Sequence, residues 1–467
     1  MMKGGLLLGG GNASIALLGL IRNVLIARLI SVEDFGIAST FAITMAVIEM
    51  TSNIAIDRLI IQAKDGDLPR FQATAHTLQA ARGALGAVAL YLLAGPLAGL
   101  FGVPHLAWAY EAMAVTPLLH GLAHLDMYRV QRDMRFSPLV TVEFAAQLLA
   151  TVAAIPLALR LGDYRAMLYA LLLQQVVYAM VSHAVAHRPY RWAFDTEVVG
   201  RAVSFGWPLL LNGLLMFANF HGEKIIIGRM IGMTELGWFS AAFALTLTPT
   251  LVIARTMQSF FLPQLAAAQD DEARFRRLYV VTVQAGLLIG VGIAVTFALA
   301  GPAVLVALYG PRYEAAVPVL VWLGVMQGLR IARVGSVVVA MGRADTRNPL
   351  IANVARVLVL PVAWFVAAEG GGVAAVVALA MVGEGLAAAV SLLLLRRRFG
   401  LTLDGVALPA AASIAVLALI ALLPQLGIPA GALAPPREAW LAAAALPLLL
   451  WSMPALRRWG RLLLRGE

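Results

Sequence analysis

The chain has 467 residues, of which 61% are hydrophobic and only 13% are charged. A soluble globular domain usually carries about 25% charged residues, so the composition excludes an ordinary soluble protein. The net charge of +10 is spread over short loops between apolar segments, which favours lipid headgroups over nucleic acid as the partner of the basic residues. Because the chain has no cysteine, disulfides and thiolate metal sites are excluded as well.

Apolar segments of about 20 residues, the length of a membrane-spanning helix, follow one another along the chain. Because the bilayer core offers no water, each spanning segment must satisfy its own backbone hydrogen bonds, as a helix does. The predicted fold class is therefore an all-α polytopic membrane protein with about 14 transmembrane helices. The predicted helices are 5–28, 36–61, 76–100, 106–127, 138–160, 164–187, 203–227, 236–262, 278–300, 315–340, 348–368, 373–395, 405–424 and 438–456.

Basic residues in the short loops orient the chain, because Lys and Arg resist translocation whereas Asp and Glu contribute little. Counted loop by loop, one side of the membrane holds 21 Lys and Arg residues and the other side holds 6. We therefore predict that both termini lie in the cytoplasm. The first apolar segment lacks a small-residue cleavage motif, so we predict that it is retained as a helix.

An internal repeat at an offset of 201 residues relates two parts of the chain. The segment 28–36, Arg-Leu-Ile-Ser-Val-Glu-Asp-Phe-Gly, matches 229–237, Arg-Met-Ile-Gly-Met-Thr-Glu-Leu-Gly. The repeat predicts two parallel six-helix bundles with a substrate path at their interface. The predicted domains are an N-terminal bundle at 1–190, a C-terminal bundle at 191–400, and two additional helices with a basic cytoplasmic tail at 401–467.

Several short segments carry a resemblance to a known family. The segment Ile26-Ala-Arg-Leu-Ile-Ser-Val-Glu-Asp-Phe-Gly36, followed by Leu59-Ile-Ile-Gln62, resembles the helix 1 to helix 2 signature of the polysaccharide transporter branch of the multidrug/oligosaccharidyl-lipid/polysaccharide exporter superfamily. Segments 205–211, 227–232, 236–241 and 261–263 also resemble short motifs of that branch. None of these motifs contains catalytic residues.

The resemblance implies a flippase that moves undecaprenyl-pyrophosphate-linked repeat units of O-antigen, capsule or exopolysaccharide across the bacterial inner membrane. Such a protein would work by alternating access and would need no cofactor. The partners it implies are the lipid-linked oligosaccharide, membrane lipids, and a polysaccharide polymerase with glycosyltransferases.

Charged side chains inside the predicted spans indicate where the substrate binds. A charge at mid-bilayer costs at least about 2.5–3.5 kcal/mol unless it has a partner or an aqueous cavity. Because guanidinium binds phosphate oxygens in bidentate fashion, we predict a cationic cavity for the substrate pyrophosphate. The predicted substrate-binding residues are Arg330, Arg333, Arg356, Arg255 and Arg22. In the alternative interpretation, arginines within the spans only hold helices together by pairing with acids. The candidate acids are Glu49, Asp57, Glu111, Asp126, Glu143 and Glu384.

Two carboxylates and two histidines have further candidate roles. Glu49 and Glu384 lie near the centres of predicted helices and are possible coupling carboxylates, because burial favours the protonated form. Static ion pairing is the alternative for both. His120 and His124 have the i, i+4 spacing of a metal pair, but no third ligand is evident, so no metal site is predicted.

Two other functions compete with the flippase. A cation-coupled multidrug or metabolite antiporter of the same superfamily typically has an acidic ion site in its first bundle, often on helix 1, which here carries Arg22 and no acid. A membrane polysaccharide polymerase is an enzyme and would need carboxylates on a long outer loop, whereas the longest outer connection, 424–437, has none. We therefore predict a transporter and no enzyme, with the flippase ahead of the antiporter.

Overall fold

The structure is a computed structural model that describes residues 2–52, 54–426 and 437–465. These ranges contain helices and no strand. The α-helices are α1 (Met2–Leu29), α2 (Val32–Ser52), α3 (Ile56–Gln62), α4 (Pro69–Leu100), α5 (Ala107–Met113), α6 (Val115–Gly121), α7 (Asp126–Arg129), α8 (Ser137–Leu161), α9 (Arg165–Ala184), α10 (Thr196–Met230), α11 (Met233–Ala266), α12 (Glu272–Leu299), α13 (Gly301–Tyr309), α14 (Val317–Gly342), α15 (Arg347–Val357), α16 (Leu360–Ala368), α17 (Val373–Phe399), α18 (Ala407–Leu422), α19 (Arg437–Trp451) and α20 (Pro454–Arg465). Short 3₁₀ helices lie at Pro104–Leu106, Val130–Asp133, Pro311–Ala316 and Leu423–Leu426.

Within the described ranges, ten helical stretches are long and apolar enough to cross a membrane. They confirm the predicted all-α polytopic class. The predicted number of about 14 spans stays a prediction. Most of the outer connection predicted at 424–437 falls on 427–436 and lies outside the described residues.

Four predicted spans are interrupted, and one of them, predicted at 438–456, is divided into α19 and α20. The helix predicted at 36–61 ends at Ser52, and α3 resumes after Ala55, whose φ of 52° lies in the left-handed region. The helix predicted at 106–127 is divided into α5, α6 and α7. The helix predicted at 348–368 is divided into α15 and α16, because Pro361 has no N–H to bond the carbonyl of Val357.

The chain forms two compact units, Met1–Gly237 and Trp238–Glu467. In the first unit, α10 packs against α2 and α4, and α8 packs against α1 and α9. In the second unit, α12 packs against α14 along much of its length, and α17 packs against α14 and α15. The domain boundaries predicted after 190 and 400 rest on the repeat instead of these units, and they stay predictions.

The two copies of the repeated segment lie against each other at their glycines. A Cβ at Gly36 would lie 1.8 Å from the backbone oxygen of Met233, and a Cβ at Gly237 would lie 2.2 Å from the backbone oxygen of Val32. Val32 and Met233 are equivalent positions of the repeat, so the contact is reciprocal. The absence of a side chain at both glycines therefore lets the two backbones approach this closely.

A second close helix contact fixes α14 in the second unit. A Cβ at Gly290 of α12 would lie 2.3 Å from the backbone oxygen of Gly328, and a Cβ at Gly328 would lie 2.6 Å from that of Gly290. Small residues allow membrane helices to pack closely by van der Waals contact. The contact positions the part of α14 that carries Arg330 and Arg333.

Candidate functional site

One carboxylate on α17 lies close to three guanidinium groups in the second unit. Glu384 has no exposed side-chain surface, and Arg330 and Arg333 reach it from neighbouring positions on α14. Arg330 Nε donates to Glu384 Oε1 at 2.8 Å, and Arg333 Nε donates to Oε2 at 3.2 Å. Arg356 of α15 completes the group, with its Nε 3.5 Å from Oε1. We name these four residues the Glu384 cluster.

The Glu384 cluster carries three positive charges and one negative charge. Two neutral oxygens assist: Gln327 Oε1 accepts from Arg330 Nη1 at 3.1 Å, and Asn353 Oδ1 accepts from Arg333 Nη1 at 2.9 Å. Amide oxygens accept hydrogen bonds without supplying a full charge. Among these four residues the positive charges exceed the negative charge by two, which favours the approach of an anionic ligand.

Exposure differs among the three arginines. The side chain of Arg333 is 12% exposed, whereas that of Arg356 is 1% exposed. Three guanidiniums surround the Glu384 carboxylate, which is the arrangement of the ion-pairing alternative, and its role as a coupling carboxylate stays a prediction. Arg356 is thus enclosed by protein, Arg333 is the more accessible of the two, and substrate binding by both stays a prediction.

The other two predicted substrate-binding arginines lie outside the Glu384 cluster. Arg22 of α1 is buried in the first unit, where its Nη1 donates to Gln174 Oε1 at 2.5 Å. Gln174 Nε2 in turn donates to Gln147 Oε1 at 3.0 Å, so the partner of Arg22 is an amide. Arg255 of α11 is exposed and makes no hydrogen bond or ion pair with another described residue.

The first unit contains a cavity of about 430 Å³, which we name the first-unit cavity. Glu49 of α2, Asp57 of α3 and Glu143 of α8 line it together with the guanidinium of Arg82 from α4. The lining therefore has two more carboxylates than cationic groups. Its volume falls in the range of small-molecule pockets, about 300–1,000 Å³. Glu49, a predicted coupling carboxylate, is thus at the wall of a cavity.

Neutral hydrogen-bonding groups complete the lining of the first-unit cavity. The hydroxyl oxygens of Tyr128 and Tyr178 are 3.3 Å apart, and the His120 ring stacks on Tyr178 with centroids 5.2 Å apart. The amides of Gln174 and Gln175 also line the wall. Because hydroxyl and amide groups both donate and accept, the wall offers both kinds of partner to a ligand.

His120 and His124 lie in different surroundings despite their spacing. The helix predicted at 106–127 is interrupted after α6, which ends at Gly121. His120 therefore lies on α6, and His124 lies in the non-helical segment that follows it. His120 lines the first-unit cavity, whereas His124 Nδ1 accepts the backbone N–H of Asp126 at 3.1 Å. Over the described ranges, no three His, Asp or Glu side chains are placed to hold a metal ion.

The sequence did not reveal the first-unit cavity. Its charged groups come from α2, α3, α4 and α8, and its two tyrosines are 50 residues apart in the chain. Helical periodicity reports one face of one helix and cannot show that several helices converge. The available signal was the presence of Glu49 and Glu143 inside predicted spans, and it gave no pairing between them.

Comparison with known proteins identifies relatives of the chain. The family model described as "Polysaccharide biosynthesis protein" matches residues 25–318. The succinoglycan biosynthesis transport protein ExoT of Rhizobium meliloti is 26% identical over 65% of this chain and 62% of ExoT. The teichuronic acid biosynthesis protein TuaB of Bacillus subtilis is 24% identical over 60% of this chain and 59% of TuaB. The chain therefore matches less than two thirds of the length of these two relatives.

A further relative and two solved structures extend the comparison. The lipopolysaccharide biosynthesis protein WzxC of Escherichia coli is 22% identical over 70% of this chain and 67% of WzxC. The lipid II flippase MurJ superposes with a TM-score of 0.70 at 12% identity, over 99% of this chain and 100% of MurJ. A multidrug resistance MATE family transporter of the MOP superfamily superposes with a TM-score of 0.65 at 16% identity, over 83% of this chain and 94% of its own.

The structural likeness shows the fold, which is that of membrane transporters of the MATE and MurJ kind. The family match includes both copies of the repeated segment, 28–36 and 229–237, and it confirms the resemblance that these segments predicted. The chain belongs to the polysaccharide biosynthesis protein family.

Proposed function

We propose that the protein is a flippase that moves undecaprenyl-pyrophosphate-linked oligosaccharide repeat units across the bacterial inner membrane by alternating access. The units serve O-antigen, capsule or exopolysaccharide synthesis. The family, the transport function in the name of ExoT and the transporter fold support this proposal. We further propose that both termini lie in the cytoplasm, that glycosyltransferases supply the substrate, and that a polymerase consumes the transported repeat units.

The observation that carries the proposal is the surplus positive charge of the Glu384 cluster. A pyrophosphate supplies negative charge and several acceptor oxygens, and a guanidinium offers two parallel N–H donors to such a group. We assign the first phosphate contact to Arg333 and the second to Arg330, while Arg356 holds Glu384. In the same proposal, Arg255 and Arg22 are additional contacts and Glu49 is the coupling carboxylate.

The test is complementation of a deletion strain, with surface polysaccharide and membrane abundance measured together. Arg333→Ala should abolish polysaccharide at normal abundance, and Arg333→Lys should keep part of the activity because an ammonium retains the charge. Arg277→Ala, at an exposed position of α12, is the matched control and should behave as wild type. If Arg333→Ala lowers abundance together with polysaccharide, the side chain holds helices and the phosphate contact is wrong.

A cation-coupled antiporter is the second candidate, and the acidic lining of the first-unit cavity is the observation that favours it. The two functions separate in the deletion strain. Loss of surface polysaccharide without a change in drug tolerance supports the flippase. Intact polysaccharide with increased sensitivity to cationic drugs supports the antiporter.

A further inference from the structure

The first-unit cavity combines two tyrosine hydroxyls, side-chain amides and carboxylates in one wall. Tyr128 and Tyr178 place their hydroxyl oxygens 3.3 Å apart, so one ligand hydroxyl can reach both. Carboxylates accept hydrogen bonds, and amides donate and accept them. A ligand that matches this wall presents many hydroxyl groups, each of which donates one hydrogen bond and accepts others.

The aromatic part of the wall fits the flat face of a sugar ring. His120 and Tyr178 stack with an angle of 17° between their planes, so each ring covers part of one face of the other and holds it in a fixed orientation at the cavity. The face of a pyranose ring carries C–H groups, and the faces of aromatic rings are electron-rich. Ring stacking and hydrogen bonding together fix the orientation of a bound sugar ring, which neither interaction does alone.

The placement of the carboxylates argues against a metal ion as the occupant. Glu49, Asp57 and Glu143 all line the cavity, yet no group of three acidic or histidine side chains in the described part of the chain is placed to hold a metal ion. A bound cation would need its oxygen ligands to converge within about 2.6 Å of one point. Dispersed carboxylates instead suit a ligand with hydroxyl groups on several sides.

We propose that the first-unit cavity binds pyranose rings of the oligosaccharide and selects repeat units without acidic sugars, an inference that rests on the proposed flippase function. The selection arises from charge. Three carboxylates face the cavity against the single guanidinium of Arg82, and even with a proton on Glu49 the two of Asp57 and Glu143 remain, so the carboxylate of a uronic acid meets a surplus of like charge. Like charges in close proximity disfavour the charged ligand, whereas a neutral or amino sugar meets no such repulsion.

The experiment compares three defined probes on the purified full chain in lipid nanodiscs at pH 7.5. One probe is undecaprenyl pyrophosphate; the second carries a neutral disaccharide; the third carries the same disaccharide with glucuronic acid as its second sugar. Wild type should bind the neutral probe tightest and the acidic probe at least about tenfold more weakly, which corresponds to about 1.4 kcal/mol. Binding is measured as the dissociation constant from intrinsic tryptophan fluorescence.

Variants of the lining locate the effect. Glu143→Gln and, separately, Asp57→Asn should strengthen binding of the acidic probe. Each should reduce the ratio of the dissociation constants of the acidic and neutral probes at least threefold. The control is Glu111→Gln, at an exposed position of α5 outside the lining, which should leave that ratio unchanged. Tyr178→Phe should weaken the neutral probe and spare undecaprenyl pyrophosphate. Glu49 is left intact because it is the proposed coupling carboxylate.

The outcomes separate the two proposals. Equal affinity of wild type for the neutral and acidic probes overturns the selection, and this result requires no variant to fold. Discrimination that persists unchanged in both Glu143→Gln and Asp57→Asn overturns the assignment to the first-unit cavity. If none of the three probes binds, the flippase function itself is wrong and the inference falls with it.

Discussion

Arg330 and Glu384 form an ion pair of 2.8 Å between α14 and α17, with 8% and 0% of their side chains exposed. The same carboxylate also meets Arg333 and Arg356. Because one acid serves three cations, the loss of the acid and the loss of one arginine are unequal changes. Removing the acid leaves all three guanidiniums without their shared counter-charge.

Glu384→Gln should therefore destabilise the protein strongly. Breaking a buried ion pair by removing one partner typically costs about 3–5 kcal/mol. We expect reduced membrane abundance and a lower unfolding temperature in detergent, measured by fluorescence-detected size exclusion after heating. Glu369→Gln, at an exposed position after α16, is the control. Equal unfolding temperatures for both variants would contradict a structural role for Glu384.

Gly290 should tolerate no side chain. Gly290→Ala places a Cβ 2.3 Å from the backbone oxygen of Gly328, and overpacking of this kind costs about 1–3 kcal/mol. Gly292→Ala, on the same helix, meets nothing within 4 Å and should be neutral or stabilising by up to about 1 kcal/mol. The unfolding temperatures of the two variants should thus move apart. A fall of the same size in both would show that α12 and α14 are not in close contact.

Asp126 should be sensitive to loss of its charge. Its carboxylate is 1% exposed and accepts from Arg129 Nε at 2.5 Å and from the backbone N–H of His187 at 2.8 Å. Asp126→Asn replaces one acceptor oxygen with a donor, and an unsatisfied buried group costs about 1–3 kcal/mol. Asp163→Asn, whose partner Arg165 is 41% exposed, should change stability by less than about 1 kcal/mol. Thermal unfolding of both variants measures the difference, and a larger loss in Asp163→Asn would refute the prediction.

The orientation of the chain can be tested with reporter fusions. Fusions after Arg135 and after Arg188 should report the cytoplasm, and fusions at Gly162 and Pro311 should report the opposite side. The reason is the asymmetry of 21 basic residues against 6 in the loops. Alkaline phosphatase and green fluorescent protein fusions give opposite readouts at each site. A cytoplasmic signal at Pro311 would contradict the parallel arrangement of the two halves.

The sequence was sufficient for the helical membrane class, because long apolar segments report burial in lipid directly. It was also sufficient to identify Arg330 and Arg333 as unusual, since a charge inside a span needs compensation. It could not choose the partner, because Glu384 is 54 residues from Arg330 and was one of several acids within reach. Pairing is decided by how α14 and α17 pack, which no single helix encodes.

The interruptions of the helices show a second limit. Apolar windows ran continuously through Ala55, because hydropathy does not register a change of backbone conformation. The break between α15 and α16 carried the visible signal of Pro361, yet Pro208 lies inside α10 without ending it. The effect of a proline depends on whether neighbouring groups satisfy the freed carbonyl, and that is a property of the assembled fold.

The shared counter-charge of the Glu384 cluster also constrains how the protein is made. Arg330 leaves the ribosome 54 residues before Glu384, a delay of roughly 3–11 s at the usual rate of synthesis. During that interval α14 holds two arginines whose transfer into lipid is unfavourable. We expect α14 to wait beside the insertion machinery until α17 arrives, so that Glu384 offsets part of the arginine charge when the two helices enter the bilayer together.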